Sequence, residues 1–412
     1  MPAHELDGSA IPALDGSLPP QARAEEARTF SAYVHIPFCA VRCGYCDFNT
    51  YTAHELGGGA DLLNYAQTLL TEVELSQRVM AQTGIPARAL SSVFFGGGTP
   101  TLLPGADLAK ILVALQETFG LEAGAEVTVE ANPDTITAEL VQTLADAGVN
   151  RVSIGMQSAV PHVLEVLDRT HDPARIPDAV ELVKAAGLQV SLDLIYGTPG
   201  ESVADYRHTL ELVTALEPDH VSAYALIIEE GTKLAAQMKR GVYPYPNPDD
   251  QAEKYELTDQ LLNAAGYQWY ELSNWARSDD RRSAHNRYYW LNQDWWGYGP
   301  GAHGHLGNYR FWNVKHPRAY ADRLQAGHSP ALGMEIPDEQ AQLLEDVLLQ
   351  TRLVEGMAES RLGLSPQTLA HRCTPLLEQG LIDPAALERG RIVLTLKGRL
   401  LADEVVRRLL DF

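Results

Sequence analysis

The chain has 412 residues, of which 45% are hydrophobic and 21% charged, a composition typical of globular proteins. This length favours two domains, or one large α/β unit with an appendage. With 32 Lys and Arg against 54 Asp and Glu, the formal net charge is −22, which disfavours binding to nucleic acid or to an anionic membrane surface. The sequence contains no apolar run of membrane-spanning length, so no stable membrane insertion is expected.

Residues 1–29 lack a basic region followed by an apolar run, so they do not resemble a secretory signal. Their Pro, Gly, Ala and acidic content predicts a flexible lead-in. The chain has four cysteines, three of which lie within eight residues. This spacing is unlike a disulfide framework and favours metal or redox chemistry in a reducing cytosol.

The first half of the chain alternates between apolar runs of strand length and amphipathic stretches of helix length. This alternation predicts βαβ units around a parallel sheet. Strands are expected at Ala32–Ile36, Ser91–Phe95, Glu126–Ala131, Arg151–Met156, Gln189–Ile195 and His220–Leu226. Helices are expected at Leu62–Arg78, Ala106–Thr118, Ala138–Ala147, Pro173–Ala186 and Ser202–Leu216.

Polar side chains occur inside or at the end of several predicted strands, at Glu130, Gln157 and Asp193. In parallel barrels the C-terminal ends of the strands carry the chemistry, so these residues are candidates for a site. The alternative is that each one serves only in strand-end hydrogen bonding or solvation.

The pattern changes after residue 226. A Pro-rich loop at Val242–Asp250 precedes a predicted helix at Gln251–Ala265, and all six tryptophans lie between Trp269 and Trp312. From about residue 335, helices are expected at Asp338–Thr351, Pro366–Gln379 and Gly398–Leu410, and a strand at Arg391–Leu396. We therefore divide the chain into a lead-in (1–29), a core barrel (30–240), an aromatic-rich extension (241–334) and a helix-rich, winged-helix-like domain (335–412).

Cys39, Cys43 and Cys46 form a Cx3CxxC pattern directly after the first predicted strand. Three soft thiolates on one short loop favour an iron–sulfur cluster. Three ligands leave one iron of a four-iron cluster open, as a catalytic site requires. A structural zinc would need a fourth ligand, and buried inert thiols are the remaining alternative. Cys373 is remote from this loop and is expected to be an ordinary core or surface thiol.

A glycine-rich segment, Phe94–Pro100, follows the second predicted strand. Its three glycines would let a ligand approach the backbone closely and would expose N–H donors. A strained turn before a helix would have the same sequence, so this segment alone is weak evidence for a ligand site.

The segments YVHIPFCAVRCGYCDF, FFGGGTPT, VTVEANPD, VSIGMQS and LDLIYGTPGE follow one another along the chain. Together they resemble the radical S-adenosylmethionine (SAM) proteins of the oxygen-independent coproporphyrinogen III oxidase type, over roughly residues 30–400. The resemblance implies an α/β fold with a partial (β/α)6 barrel. It also implies that the three clustered cysteines hold a [4Fe–4S] cluster, whose open iron binds SAM and whose electron cleaves it to a radical.

Carried over position by position, the resemblance implies a SAM site at the strand ends. Its members are Tyr33, Tyr45, Gly97, Gly98, Thr99 and Glu130. Four further positions match those that surround a second SAM in the oxidase: Gln157, Arg169, Asp193 and Ala225. Position 45 is the one difference in residue type, since the oxidase has Phe there. The number of SAM molecules bound, one or two, stays open.

Two segments indicate a branch of this family. True oxidases have a further cysteine two residues after the third, where this chain has Phe48. The string CDFNTY and the HNRYYW string at His285–Trp290 are instead similar to the HemW branch, the haem chaperones. His285 offers an imidazole for haem iron and Trp290 a flat aromatic face. His303 and His305 are competing ligands, and the alternative is that the aromatic cluster only joins two domains.

The sequence therefore predicts a cytoplasmic haem chaperone of the HemW type with a [4Fe–4S] cluster, SAM and haem as cofactors. Haem, a haem-acceptor protein and an electron donor are the expected partners, and the sequence identifies neither protein. The main alternative is the oxidase itself, which decarboxylates two propionates of coproporphyrinogen III. A third hypothesis is a radical SAM enzyme with an unrelated substrate, and turnover of SAM stays open.

Overall fold

A computed structural model describes residues 11–23, 28–52, 55–56, 62–83, 85 and 88–411. Its main feature is a 12-stranded sheet with six parallel strands, β1 to β6, at its centre. The central strands are β1 (Phe30–Ile36), β2 (Leu90–Gly97), β3 (Leu121–Ala131), β4 (Arg151–Gln157), β5 (Gln189–Tyr196) and β6 (His220–Ala225). All six predicted strands are confirmed, and they lie side by side in chain order.

Six further strands extend both edges of the central sheet. They are β7 (Gln268–Glu271), β8 (Asn274–Ala276), β9 (Asp294–Tyr298), β10 (His303–Leu306), β11 (Tyr309–Asn313) and β12 (Ala331–Glu335). Strand β9 pairs in parallel with β1, and β10, β11 and β12 follow it as antiparallel neighbours. At the other edge, β8 pairs antiparallel with β6, and β7 pairs with β8. The aromatic-rich segment thus becomes part of the same sheet.

Helices form most of the connections between the strands. Those of the barrel region are α1 (Leu62–Thr83), α2 (Gly105–Phe119), α3 (Ala138–Ala147), α4 (Pro161–Val166), α5 (Arg175–Ala185), α6 (Val203–Leu216), α7 (Lys233–Lys239) and α8 (Pro248–Ala264). The later ones are α9 (Ala284–Trp290), α10 (Pro317–Gln325), α11 (Glu339–Gln350), α12 (Pro366–Glu378), α13 (Pro384–Glu388), α14 (Leu396–Leu400) and α15 (Ala402–Leu410). Every predicted helix of the barrel region is present. The sequence patterns missed the short helices α4 and α7.

Local capping explains why several boundaries were predictable. The Thr137 side chain accepts a hydrogen bond from Leu140 N at the start of α3, and Gly148 ends that helix in a left-handed conformation, φ +102°. Ser202 and Asp205 form a reciprocal capping box at the start of α6. These contacts involve residues three positions apart, so the sequence carries them locally.

The C-terminal segment has its own hydrophobic core, which includes Val347, Leu376 and Val405. A short ribbon of β13 (Met357–Ala358) and β14 (Arg391–Ile392) accompanies its helices. The predicted strand Arg391–Leu396 is therefore too long. It ends early because the Thr395 side chain caps α14 by accepting a hydrogen bond from Gly398 N.

The predicted final helix Gly398–Leu410 was also wrong at its start. The chain forms α14 and α15 instead, separated at Leu401, whose φ of −121° interrupts the helical path. Gly398 lies inside α14 and packs so closely on the Leu381 carbonyl that an added Cβ would overlap it. Gly398 occurs in this apolar pattern because the backbone of α14 approaches Leu381 closely.

The lead-in differs from its expected flexibility where the structure describes it. Leu18 and Ala22 pack against the core that contains β1 and β9. The Arg23 N–H donates to Asn308 Oδ1 at 2.7 Å, and Ser329 N donates to Leu14 O at 2.6 Å. Residues 1–10 and 24–27 lie outside the described residues. Among the helices that the structure describes, none is both long and apolar enough to cross a membrane.

Candidate functional site

A cavity of about 600 Å³ lies at the C-terminal ends of the central strands. It is lined by residues from each of β1 to β6, from the cysteine loop and from the start of α9. The structure brings together here nearly all of the residues predicted for the site: Tyr33, Cys39, Cys43, Tyr45, Cys46, Gly97, Gly98, Thr99, Glu130, Gln157, Arg169, Asp193, Ala225 and His285. Trp290 is half-buried and does not line the described wall of this cavity.

The loop of Cys39, Cys43 and Cys46 is fixed by backbone hydrogen bonds. Cys39 N donates to Tyr51 O at 3.0 Å, and Gly44 N donates to Leu167 O at 3.2 Å. The three thiols are unpaired and half-buried, whereas Cys373 is buried in the C-terminal core. Only the three clustered thiols therefore face a space that could hold a cluster.

Burial disfavours the thiolate forms of Cys39 and Cys46, and a neighbouring cation offsets this for an anionic cluster. Burial raises the pKa of Cys39 to about 11, and the neighbouring Cys46 adds to the rise. The Arg169 guanidinium lies 3.7 Å from Cys43 Sγ and supplies a positive charge beside the loop. In the described part of the chain, no three His, Cys, Asp or Glu side chains converge tightly enough for one metal ion. A four-iron cluster needs no such convergence, because each thiolate binds a different corner iron.

The N–H groups of the glycine-rich segment are hydrogen-bonded within the protein. Gly98 N donates to Ile36 O and Thr99 N donates to Phe38 O, each at 2.8 Å. Gly97 N donates to Glu130 Oε2 at 3.1 Å. The expectation of free N–H donors is therefore wrong for these three groups. A Cβ at Gly98 would lie 2.5 Å from Phe38 O, so this glycine allows β2 to pack under the base of the cysteine loop.

Two carboxyl groups face the cavity from neighbouring parts of the sheet. Burial, together with a smaller contribution from the charge of Asp193, raises the pKa of Glu130 to about 8. Burial also raises the pKa of Asp193, against hydrogen bonds from Ser222 and Ser153 that lower it. A cationic ligand in this cavity would favour their charged forms. The cavity thus suits a ligand that carries positive charge.

The positions that match a second SAM site lie along one wall. Gln157 ends β4 in a left-handed conformation, φ +61°, which is strained for a residue other than glycine. Arg169 Nη2 donates to Gly155 O at 2.7 Å, so its guanidinium is held at this strand end. Ala225 ends β6 on the same wall. The amide of Gln157 and the guanidinium of Arg169 both lie beside Gly155.

His285 lies in the cavity wall, but both of its ring nitrogens are engaged. Nδ1 is 2.8 Å from Ser92 Oγ and Nε2 is 2.8 Å from Tyr289 Oη. The ring is 2% exposed and stacks on Phe94 at 5.1 Å between centroids. Burial lowers its pKa to about 3. The ring of His285 is therefore a neutral part of the wall, with no free nitrogen toward a ligand.

The start of α9 is held by a buried carboxylate. Glu126 of β3 accepts hydrogen bonds from Ser283 Oγ and from the N–H groups of Ala284 and His285. An anionic side chain at a helix start is favourable because the N–H groups there are otherwise unsatisfied. The HNRYYW segment is in this way fixed to the barrel.

Sequence reasoning missed a hydrogen-bonded chain that leaves the cavity. The Tyr33 hydroxyl lies 2.9 Å from His35 Nδ1, and His35 Nε2 lies 2.9 Å from Asn49 O. Asn49 Nδ2 then donates to Pro300 O and Lys315 O at 2.9 and 2.7 Å. Asn49 belongs to the CDFNTY string, so this string has a structural role. It joins the cysteine loop to the strands at the sheet edge.

Comparisons with known proteins agree with this geometry. A model of the radical SAM superfamily matches residues 33–213. Heme chaperone HemW of Mycobacterium tuberculosis (strain ATCC 25618 / H37Rv) is 46% identical over 382 residues, which cover 92% of this chain and 95% of the relative. Heme chaperone HemW of Bacillus subtilis (strain 168) is 33% identical over 386 residues, which cover 91% of this chain and 97% of the relative. The chain belongs to the HemW family of radical SAM proteins.

A solved structure supports the fold of this family. Coproporphyrinogen III oxidase (HemN) from Escherichia coli, a radical SAM enzyme, has a TM-score of 0.77 and 25% identity. The match covers 93% of this chain and 90% of that one. It confirms the α/β fold that the sequence predicts. Family membership implies a [4Fe–4S] cluster and SAM, and the free thiols, the cation at Arg169 and the 600 Å³ cavity fit both groups.

Proposed function

We propose that this protein is a haem chaperone: it binds haem and passes it to an acceptor protein in the cytoplasm. The observation that carries the proposal is its 46% identity to heme chaperone HemW along almost the whole of both chains. Haem transfer requires a site that binds the porphyrin and then releases it. The aromatic residues of β9 to β12 offer such a surface beside the radical SAM cavity.

The cluster and SAM would occupy the cavity at the strand ends. Cys39, Cys43 and Cys46 would hold the cluster, and Glu130 and Asp193 would face the positive charges of SAM. When bound, the cluster supplies one electron for the cleavage of SAM. Arg169 and Tyr45 would close the side of the cavity next to the cysteine loop. The electron donor is a further expected partner.

Phe48 supports the chaperone over the oxidase. It lines the cavity two residues after Cys46, where true oxidases have a cysteine, and its side chain is 57% exposed. A benzyl group cannot ligate metal or transfer a proton. An oxidase mechanism that needs a thiol there has no substitute on this residue.

The test begins with anaerobic reconstitution of the full chain, followed by two assays on the same sample. Haem titration should give a saturable Soret band. Incubation with coproporphyrinogen III, SAM and a reductant should give no protoporphyrinogen at an enzymatic rate. Enzymatic decarboxylation would overturn the proposal in favour of the oxidase. Absence of saturable haem binding would remove the chaperone function altogether.

A further inference from the structure

Two histidines, His303 and His305, lie on strand β10, among the antiparallel strands that extend one side of the sheet. His303 begins β10 and pairs with Trp312 of β11, and their rings stack at 5.8 Å and 24°. His305 lies two residues further on the same face of β10, with its ring 5.0 Å from that of Trp295. We call these four residues, Trp295, His303, His305 and Trp312, the outer aromatic face.

The three candidate imidazoles His285, His303 and His305 differ in availability. His285 has both ring nitrogens hydrogen-bonded inside the wall of the cavity. His305 is buried and its Nδ1 lies 2.9 Å from Gln293 O. His303 is exposed, and neither of its ring nitrogens is hydrogen-bonded to a residue that the structure describes. Of these three, His303 is thus the imidazole that can reach an external metal ion without breaking an internal bond.

The surroundings of His303 suit a porphyrin. Trp312 lies flat on the sheet because Gly333 of β12 is opposite it, and a Cβ there would be 2.3 Å from the indole. Its ring stacks on the imidazole of His303 and holds the orientation of that ring. Partial desolvation lowers the pKa of His303, and the nearby charge of Lys315 lowers it further. The neutral imidazole has the lone pair that iron needs, and Lys315 offers a cation for a propionate.

The segment that presents His303 is rigidly held. Gly299 N donates to Glu72 Oε2 at 2.7 Å, and Gly301 N donates to Val314 O at 2.9 Å. Asn49 binds the carbonyls of Pro300 and Lys315 on its other side. A ligand on a rigid segment is preorganised for binding. Its exposed position also leaves the iron accessible to the incoming ligand of an acceptor protein.

We infer that His303, and not His285, is the axial ligand of haem iron, with Trp312 holding the imidazole in place and a propionate at Lys315. This inference rests on the proposed haem-chaperone function and names the site that serves it. Transfer then consists of ligand exchange: the bond from iron to His303 Nε2 or Nδ1 breaks as a ligand of the acceptor binds the iron. The oxidation state of the iron does not change in this step.

The test is a haem titration of the full chain as wild type, His303→Ala and His285→Ala, followed by absorption and magnetic circular dichroism. His303→Ala should bind haem at least tenfold more weakly and lose the spectrum of imidazole ligation. Free imidazole should restore that spectrum. His285→Ala should keep the wild-type spectrum.

The outcomes separate the inference from the function that it serves. Haem binding absent from the wild type contradicts the proposed function. Wild-type binding with an unchanged spectrum in His303→Ala overturns the inference alone, as does loss of ligation in His285→Ala only. Should His303→Ala fold poorly by near-ultraviolet circular dichroism, His303→Cys decides the matter. A thiolate-type Soret band in that variant supports ligation at position 303, and an unchanged imidazole spectrum excludes it.

Discussion

Two regions of the sheet, the carboxyl ends of β1 to β6 and the outer aromatic face, differ in their chemistry. At the carboxyl ends of β1 to β6, charged and thiol side chains line a cavity, and the carboxyl groups of Glu130 and Asp193 accept hydrogen bonds from the protein. On the outer aromatic face, His305 is buried and Trp295 and Trp312 are half-buried, whereas His303 is exposed and its ring has no described hydrogen-bond partner. The first region suits small polar cofactors held for long periods. The second suits a flat cargo that must leave again.

The contrast between His285 and His303 shows what a sequence string can and cannot tell. Only 18 positions separate them, and His285 has the more conspicuous neighbours, Tyr289 and Trp290. The structure uses His285 as a stacked and doubly hydrogen-bonded part of the cavity wall. The aromatic string around His285 therefore did not reveal that both ring nitrogens of this residue are engaged.

The largest expected effect distinguishes the three cysteines of the loop from Cys373. Replacing Cys39, Cys43 or Cys46 with Ala should abolish the cluster, because each thiolate holds one corner iron. Cys373→Ala is the matched control, and it should retain about four irons per chain, as a cubane requires. Iron and sulfide analysis after anaerobic reconstitution checks both. Loss of iron in the Cys373 variant would show that the ligand assignment is wrong.

A smaller effect is expected from the backbone contact under the cysteine loop. In Gly98→Ala, the added Cβ would lie 2.5 Å from Phe38 O, so the loop must shift, at a cost of roughly 1–3 kcal/mol. The variant should lose cluster iron faster than the wild type when exposed to a chelator. Gly124→Ala is the control for backbone strain that does not touch the loop, because φ there is +82° and a Cβ would meet no atom within 4 Å. Equal rates in all three proteins would contradict the packing role of Gly98.

The connection between the two regions depends on Asn49. Asn49→Ala leaves the carbonyls of Pro300 and Lys315 without their donor, which should lower the free energy of unfolding by roughly 1–3 kcal/mol. It should also weaken haem binding, since the segment before His303 loses one support. Chemical denaturation and haem titration measure the two effects. Asn308→Ala, whose hydrogen bonds are exposed, is the control, and the same losses there would show that Asn49 has no special role.

The last effect concerns the pH dependence of the cavity region, and it appears as a slope of stability with pH and not as a loss at one pH. The pKa of Glu130 is raised from 4.5 to about 8 by burial, so the folded state holds a proton that the unfolded state releases. Its contribution to stability is complete below about pH 4.5 and is lost as the pH rises toward 8, at about 1.4 kcal/mol per pKa unit.

Stability curves from pH 5 to 8 on cluster-free protein would measure this contribution. Glu130→Gln should show a shallower decline than the wild type. Glu122→Gln, an exposed change on the same strand, should follow the wild type. Parallel curves for wild type and Glu130→Gln would refute the protonated state of this carboxyl.

The sequence was most informative where the determinants are local. Alternating apolar runs predicted the six strands and five helices of the barrel, and the caps at Thr137 and Ser202 explain where two of those helices begin. The cavity residues followed, because parallel strands bring their carboxyl ends to one edge. The same local reasoning failed at Leu401, where the packing of Gly398 on Leu381 splits one expected helix into two.

Long-range partners could not be predicted. The engagement of His285 depends on Ser92, which lies 193 positions earlier, and the anchoring of Asn49 depends on Pro300, 251 positions later. The use of the Gly98 N–H by Ile36 likewise depends on how β1 and β2 pack. These contacts decide which groups are free, and no residue pattern near the candidates indicates them.

The most direct test of the account measures cluster iron and haem ligation in the same two variants. Cys43→Ala should lose the cluster and still show the wild-type imidazole spectrum on haem titration, since the cysteine loop and the outer aromatic face are separate sites. His303→Gln should hold about four irons, as a cubane requires, and lose that spectrum. Loss of haem ligation in Cys43→Ala, together with an unchanged spectrum in His303→Gln, would contradict the assignment of cluster and haem to two regions.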